Sequence, residues 1–175
     1  MSVHVSFCVV FVLETNILMK AFITYVRPLL EYCSQVWSPF TAANINKIEA
    51  VQRRFTKHIF GLTSCGYQDR LFNLNLELLE TRRMKCDLIT IYKLIHGHLG
   101  LSSDDFLNVV IGSSTRGHQY KVYKHSCSVN VYKYNFPNRC IDAWNCLPNS
   151  VVDALTTAEF KCKLDNVSSD IFPTY

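Results

Sequence analysis

The sequence lacks the features that mark several broad classes of protein. Charged residues make up only 18% of the 175 residues and hydrophobic residues make up 49%, which is the opposite of a disordered composition. Glycine and proline number six and five, and the chain has no internal repeat or low-complexity tract. We therefore expect a folded chain of about one domain.

Cysteine is plentiful but lacks the spacing of a disulfide framework or a zinc site. The eight cysteines are irregularly spaced and form no C-x-x-C pair, and the histidines add no zinc-ligand spacing. Cys86, between Met84 and Leu88, occupies a position where a small apolar residue would serve. These observations predict buried, reduced thiols in an intracellular protein of the cytoplasm or nucleus, with no metal.

Long hydrophobic runs are also missing. The longest apolar stretch, residues 3–13, has about half the length that a membrane-spanning helix needs. It lacks the basic start and the cleavage site of a signal peptide. We expect residues 1–14 to form an unmatched leader or a short strand, and we expect no membrane partner.

Helical periodicity dominates the first hundred residues. Pro28 should kink or split the first helix near Val26, and Gly97 should end the last one. Short connections between these helices predict an antiparallel helical module over residues 15–100. Apolar residues recur three and four apart in four segments, residues 14–37, 41–60, 67–74 and 77–96.

The pattern changes after residue 100. Residues 121–136 alternate β-branched or aromatic residues with polar ones, which predicts a β-hairpin near residues 120–136 that turns at Ser126 to Ser128. Short helices should follow, near residues 140–147 and 158–167. We therefore predict a mainly α fold with a minor α+β character, in which residues 101–175 supply a loop, the hairpin and short helices packed on the module. Four aromatic residues lie in apolar stripes and should be buried: Tyr32, Trp37, Phe55 and Trp144.

The motifs of common enzymes are absent from the sequence. It contains no G-x-S-x-G, no P-loop glycine pattern and no H-E-x-x-H. The only adjacent carboxylates, Asp104 and Asp105, follow two serines and should form the first turn of a helix. The sequence thus predicts no catalytic residue, no metal site and no cofactor, so the chain should not be an enzyme on its own.

The positive charge of the sequence is concentrated in two segments. The formal net charge is only +4, but residues 47–93 hold nine basic and five acidic side chains, and residues 116–139 hold five basic and none acidic. Such blocks suit contacts with nucleic-acid phosphates, although exposed cations on helices are often merely solubilising.

Ten cations are the candidate nucleic-acid-binding residues. Each of the two helical groups falls within about one helical turn, and in each of them an arginine could instead pair with Glu49 or Glu80 and fix helix packing. Tyrosines beside the last group could stack on bases or simply pack. The candidates are Arg53, Arg54 and Lys57, then Arg82, Arg83 and Lys85, then Arg116, Lys121, Lys124 and Lys133, with Tyr123, Tyr132 and Tyr134 beside them.

Five stretches, taken in order, resemble one family. They are similar to the C-terminal region of reverse transcriptases from non-LTR (LINE) retrotransposons of the jockey-like kind, and the resemblance covers residues 16–167. The stretches are VRPLLEYCSQVWSP from Val26, IEAVQRRFTK from Ile48, LLETRR from Leu78 with YKLIHG from Tyr92, TRGH from Thr115 and RCIDAWNCLP from Arg139.

The resemblance implies that the chain is a part of an RNA-directed DNA polymerase that lacks the catalytic residues for nucleotidyl transfer. In that family a palm domain upstream carries paired aspartates that hold two magnesium ions, and this sequence lacks that motif. We expect a noncatalytic C-terminal fragment, translated from a chance methionine, that retains affinity for RNA or DNA backbone. The alternatives are a structural or protein-interaction module, which the missing palm or another protein once covered, and a relic without function.

Overall fold

The computed structural model describes residues 14–59, 62–110 and 117–167. These residues are mainly helical and include one small two-stranded antiparallel sheet, so the predicted fold class is confirmed. Residues 14–21 are helical and continue through a π-helical turn, Phe22–Val26. The other helices are α1 (Arg27–Glu31), α2 (Ser34–Trp37), α3 (Ala42–His58), α4 (Tyr67–Asn73), α5 (Leu79–Ile95), α6 (Asn130–Lys133), α7 (Ile141–Asn145), α8 (Asn149–Val152) and α9 (Thr157–Asp165). The strands are β1 (Val109–Val110) and β2 (Lys121–Val122).

The described residues form two compact units. The first unit contains the described residues among 14–33 and 41–82, and the second unit contains those among 34–40 and 83–167. Helix α5 contributes to both, since the division falls between Arg82 and Arg83. The predicted boundary at residue 100 does not coincide with this division. The predicted leader or strand at the N-terminus lies outside the described residues, apart from Glu14, which is helical.

Proline interrupts the first helical segment where the sequence predicts it. Pro28 lacks an N–H and its ring crowds the carbonyl four residues earlier, so a regular α-helix cannot continue through it. The chain accommodates the proline with the π-helical turn, in which the Arg27 N–H donates to the Phe22 carbonyl five residues back. The helix ends at a second break, where Cys33 adopts a left-handed φ of 52°. The apolar spacing gave no sign of this second break.

The apolar stripe of this segment is mostly exposed. Phe22 is buried and stacks on Phe55, with ring centroids 4.2 Å apart. Tyr25, Leu29 and Tyr32 are 74, 78 and 76% exposed. The prediction that Tyr32 belongs to the core is therefore wrong. Helical spacing identifies a common face, but only a packing partner buries it.

The two-stranded sheet has a different partner from the predicted one. Val122 pairs with Val109 in an antiparallel register, and the predicted second strand of the hairpin instead contains helix α6. Val131 and Tyr132 are 70 and 63% exposed, so the alternating pattern there corresponds to no buried face. The Asn145 amide completes the other edge of β2 by donating to the Val122 carbonyl at 2.8 Å and accepting from its N–H at 3.0 Å.

The core of the second unit surrounds Trp144. This residue is fully buried, as predicted, whereas Trp37 is 39% exposed and Phe55 is half-buried. The Trp144 indole donates to the Tyr120 carbonyl at 2.8 Å, and the Tyr92 hydroxyl donates to the Ala154 carbonyl at 2.6 Å. Both buried polar atoms are thereby satisfied. The predicted short helices near residues 140–147 and 158–167 are present as α7 and α9.

The seven described cysteines form no disulfide, but few are buried. Only Cys140 is in the core, while Cys33, Cys146 and Cys162 are exposed. The prediction of generally buried thiols is therefore wrong, since these three lie on solvent-facing positions of short segments. Within residues 14–59, 62–110 and 117–167, no helix is long and apolar enough to cross a membrane.

Candidate nucleic-acid interface

The orientation of helix α3 is fixed by polar contacts in the first unit. Its buried residues are Ile45, Glu49, Gln52 and Thr56, which at 100° per residue fall within an arc of about 60°. The Glu49 carboxylate is 4% exposed and accepts hydrogen bonds from the Leu79 N–H at 3.0 Å and from the Tyr67 hydroxyl. The first of these bonds caps the N-terminus of α5.

Further side chains lock the same face of α3. Gln52 donates to the Glu77 carbonyl at 2.9 Å and to the Tyr67 hydroxyl at 3.2 Å. The buried Arg70 donates to the Thr56 hydroxyl at 3.2 Å and to the Cys65 carbonyl at 2.6 Å. Burial and the bond to Glu49 raise the pKa of Tyr67 far above its ordinary value, so the hydroxyl keeps its proton and remains a donor. These contacts fix which residues of α3 face solvent.

The solvent-facing side of α3 carries four cations and no carboxylate. We define the α3 basic face as Lys47, Arg53, Arg54 and Lys57, which are all exposed and span an arc of about 120°. The only acidic residue of the helix, Glu49, is on the buried side. Within the described ranges none of the four cations forms an ion pair, so the predicted alternative in which Arg54 pairs with Glu49 is not observed.

One of these cations has an aromatic partner. The Arg53 guanidinium lies over the Tyr67 ring, 5.0 Å from its centroid. This contact restricts the side chain without neutralising its charge. The α3 basic face therefore presents four positive charges, one of them partly ordered.

The second predicted helical cluster is not an accessible surface. Arg83 and Lys85 are 2 and 7% exposed, so phosphates cannot reach them in this fold. Lys85 pairs with Asp165 at 2.8 Å. Both residues are therefore removed from the candidate interface, because α5 is buried on most of its circumference.

Arg82 has a structural role instead. Its guanidinium forms a two-point contact with Glu31 and lies 3.9 Å from the Glu77 carboxylate. Its described carboxylate partners are thus Glu31 and Glu77. A guanidinium that already holds a carboxylate at two points is a poor candidate for a phosphate contact.

A buried ion pair that the sequence did not identify lies in the second unit. Asp87 is 1% exposed and accepts from the Arg139 Nε at 2.8 Å and Nη2 at 3.1 Å. Arg139 also donates to the Ser34 and Gln35 carbonyls at 3.1 and 3.3 Å. Burial raises the pKa of Asp87, and the two arginines near it, Arg139 and Arg83, oppose that shift. The position of Asp87 in the sequence, between Cys86 and Leu88 on an apolar stripe, could have predicted a buried ion pair.

The third group of candidate cations lies beside a cleft in the second unit. Lys124 and Lys133 are exposed and Lys121 is half-buried, while Arg116 lies outside the described residues. The cleft has a volume of about 310 Å³ and is lined by residues 123–127 with Lys133 and Asn138. Lys124 forms an exposed ion pair with Asp142.

The tyrosines of this group divide between packing and exposure. Tyr134 is half-buried and stacks on Phe40 at 4.7 Å, with the Lys133 ammonium 5.2 Å from its ring centroid. Tyr123 and Tyr132 are 57 and 63% exposed. Only the last two therefore offer a ring face to a ligand.

The carboxylates and histidines show no catalytic arrangement in the described residues. Asp104 and Asp105 are exposed in a single 3₁₀ turn, Ser103–Asp105, and not in the predicted first turn of a longer helix. No group of three metal-ligating side chains is present in these ranges. His96 follows α5 directly, and burial lowers its pKa, which favours the neutral imidazole. Burial likewise lowers the pKa of His118.

Comparisons with known proteins identify no relative. No protein-family model matches the chain, and no curated protein or solved structure matches it significantly.

Proposed function

We propose that this chain is a noncatalytic C-terminal region of a retrotransposon RNA-directed DNA polymerase that binds nucleic-acid backbone without sequence preference. The α3 basic face carries the binding part of this proposal. The five stretches that resemble the reverse transcriptase family, in their family order, support the polymerase part.

The α3 basic face has the properties that phosphate contacts require. Its four cations are exposed, and none is neutralised by a described carboxylate. The helix that carries them is held by buried hydrogen bonds through Glu49 and Gln52, so the charges have a defined orientation. The four cations can donate to phosphate oxygens whatever the base sequence is. The expected partner is therefore duplex or single-stranded backbone rather than a particular sequence.

A salt titration tests the binding. Affinity for duplex DNA, RNA and an RNA–DNA hybrid is measured between about 50 and 200 mM salt. If all four cations of the α3 basic face contact phosphates, the plot of log K against log salt has a slope of about −3.6 on duplex DNA. Failure to bind at the lowest salt, or binding that salt leaves unchanged, contradicts the proposal.

A primer-extension assay tests the noncatalytic part. Phosphoryl transfer in polymerases depends on carboxylates that hold two metal ions, and the adjacent aspartates of this chain lie in an exposed 3₁₀ turn. We expect no extension of a primed template by this chain with magnesium and nucleotides. Extension that disappears on chelation of the metal would refute this part.

A protein-interaction module is the second candidate function. The exposed apolar residues Tyr25, Leu29 and Tyr32 follow one another at helical spacing in the first unit, and such a stripe is typical of a surface that another protein covers. Light scattering at high concentration separates the candidates. A clean monomer that binds nucleic acid favours the first, and concentration-dependent association that Leu29→Ser abolishes favours the second.

A further inference from the structure

The cleft of the second unit has an unusual lining for its size. Residues 123–127, Lys133 and Asn138 surround about 310 Å³, and the lining includes two ammonium groups, an imidazole, two hydroxyls and a carboxamide. No carboxylate is among these lining residues. A cavity lined by two ammonium groups and no acidic group favours an anion.

The charge of the two lysines defines the kind of anion. A phosphate monoester carries about −1.5 to −2 charges at neutral pH, whereas each internal phosphodiester of a nucleic acid carries one. Lys133 forms no ion pair in the described chain, and the partner of Lys124, Asp142, has a side chain that is 68% exposed. An exposed pair is weak and gives way to a better anion. Two ammonium groups at one cleft therefore match a monoester dianion.

An aromatic ring at the rim indicates what carries the phosphate. Tyr123 lines the cleft, is 57% exposed and forms a T-shaped contact with His125, with ring centroids 4.9 Å apart. An aromatic ring that is more than half exposed can stack on a nucleobase. The volume of the cleft is near the lower limit for small-molecule sites and admits one nucleotide rather than a duplex.

We infer that this cleft binds a terminal phosphate monoester of a nucleotide, with Lys124 and Lys133 on the phosphate and Tyr123 stacked on the base. The source is a free nucleoside monophosphate or the phosphorylated end of a nucleic-acid strand. Only the second source depends on the function proposed above. The site itself uses no residue of the α3 basic face.

Cys127 supplies a readout inside the cleft. It is half-buried and lines the cavity, whereas Cys33, Cys146 and Cys162 are exposed elsewhere. The full chain is alkylated with N-ethylmaleimide, and the rate at each cysteine is followed by mass spectrometry. Adenosine 5′-monophosphate should slow alkylation of Cys127 at least about tenfold and leave the three exposed cysteines unchanged, while adenosine should have no effect. Equal rates at Cys127 with and without the nucleotide overturn the inference.

Further ligands distinguish the two sources and the two contacts. Protection by inorganic phosphate as strong as that by the nucleotide removes Tyr123 from the site. An oligonucleotide with a 5′-phosphate that protects better than the same strand without it identifies strand ends as ligands. If only the free nucleotide protects, the site is a nucleotide site.

Substitutions separate this site from a general attraction of the protein for anions. Lys133→Gln should weaken nucleotide binding about tenfold or more, and the exposed Lys161→Gln should not. Asp142→Asn frees the Lys124 ammonium and should tighten binding by up to about fivefold. Loss of affinity in Asp142→Asn contradicts the assigned role of Lys124. Replacing Arg53, Arg54 and Lys57 with glutamine should leave nucleotide protection of Cys127 intact, so failure of either proposal is recognised independently.

Discussion

Helices α3 and α5 are both 17 residues long and both carry a cluster of three cations, but only one cluster faces solvent. The buried residues of α3 occupy an arc of about 60°, and those of α5 extend over an arc of about 240°. In α5 the cations inside this arc are Arg83 and Lys85, each beside apolar neighbours. The spacing of cations in the sequence places them on one helix, but the amount of surface that the helix buries decides whether a ligand can reach them.

Breaking the buried ion pair of the second unit should have the largest effect. Asp87→Ala leaves the Arg139 guanidinium buried without its carboxylate, and we expect a loss of about 3–5 kcal/mol in the free energy of unfolding. Arg54→Ala on the exposed face of α3 should change it by less than about 0.5 kcal/mol. Urea denaturation followed by circular dichroism measures both.

A double replacement sharpens this prediction. Asp87→Leu combined with Arg139→Met removes both charges together, so it should destabilise less than Asp87→Ala alone. If all these variants unfold at the urea concentration of the unmodified chain, the structural role assigned to the α5 charges is wrong.

Removing the charges of α3 should affect binding rather than folding. Replacement of Arg53, Arg54 and Lys57 with glutamine should reduce the salt slope on duplex DNA by about 2.7 and weaken binding at low salt on the order of a hundredfold. The matched control replaces the exposed Lys20 and Lys161 with glutamine and should keep the slope. A control that loses as much affinity would show that net charge, and not this face, is responsible.

The polar packing of α3 should have a smaller effect on stability. Tyr67→Phe deletes a donor to the buried Glu49 carboxylate, and we expect a loss of about 1–3 kcal/mol in the free energy of unfolding. Tyr25→Phe removes a hydroxyl from a side chain that is 74% exposed and should be neutral. Equal stability of the two variants would mean that Glu49 does not depend on Tyr67.

Acidification should destabilise the second unit before the first, and this should be the smallest of the expected effects. Burial lowers the folded-state pKa of His96 and His118, so their stabilising contribution is complete above the ordinary histidine value near 6.5 and is lost as the pH falls below it. Both residues belong to the second unit, and the only described histidine of the first unit, His58, is exposed. Hydrogen-exchange protection factors should therefore fall in α7 and α9 before α3. An equal decline in all three helices would contradict this assignment.

Several elements were predictable because their signals are local. Pro28 predicted an interrupted helix through its missing N–H, and Gly97, with a φ of 70°, ended α5 as predicted. The strand at Lys121 was predicted, but its partner was not, because a two-residue strand leaves no periodic pattern and β1 lies before it in the sequence. Tyr32 shared helical spacing with Phe22, but Phe22 is 2% exposed and Tyr32 is 76% exposed.

The candidate site was predictable in composition and not in geometry. The sequence placed Arg53, Arg54 and Lys57 on one helix, and that prediction is confirmed. It treated Arg83 and Lys85 as equivalents, since charge is visible in a sequence and burial is not. The cleft beside Lys124 and Lys133 brings together residues from two segments, and its volume exists only in the folded chain.

The sequence by itself determined the helical character, the position of the proline-induced interruption and the location of the basic blocks, because each depends on neighbouring residues along the chain. Only the tertiary structure decided which charged side chains are exposed to solvent. It paired Asp87 with Arg139 across 52 positions and Lys85 with Asp165 across 80, and it left the α3 basic face without a described carboxylate. The physical reason is that burial and ion pairing are contacts between distant segments, and no local pattern specifies them.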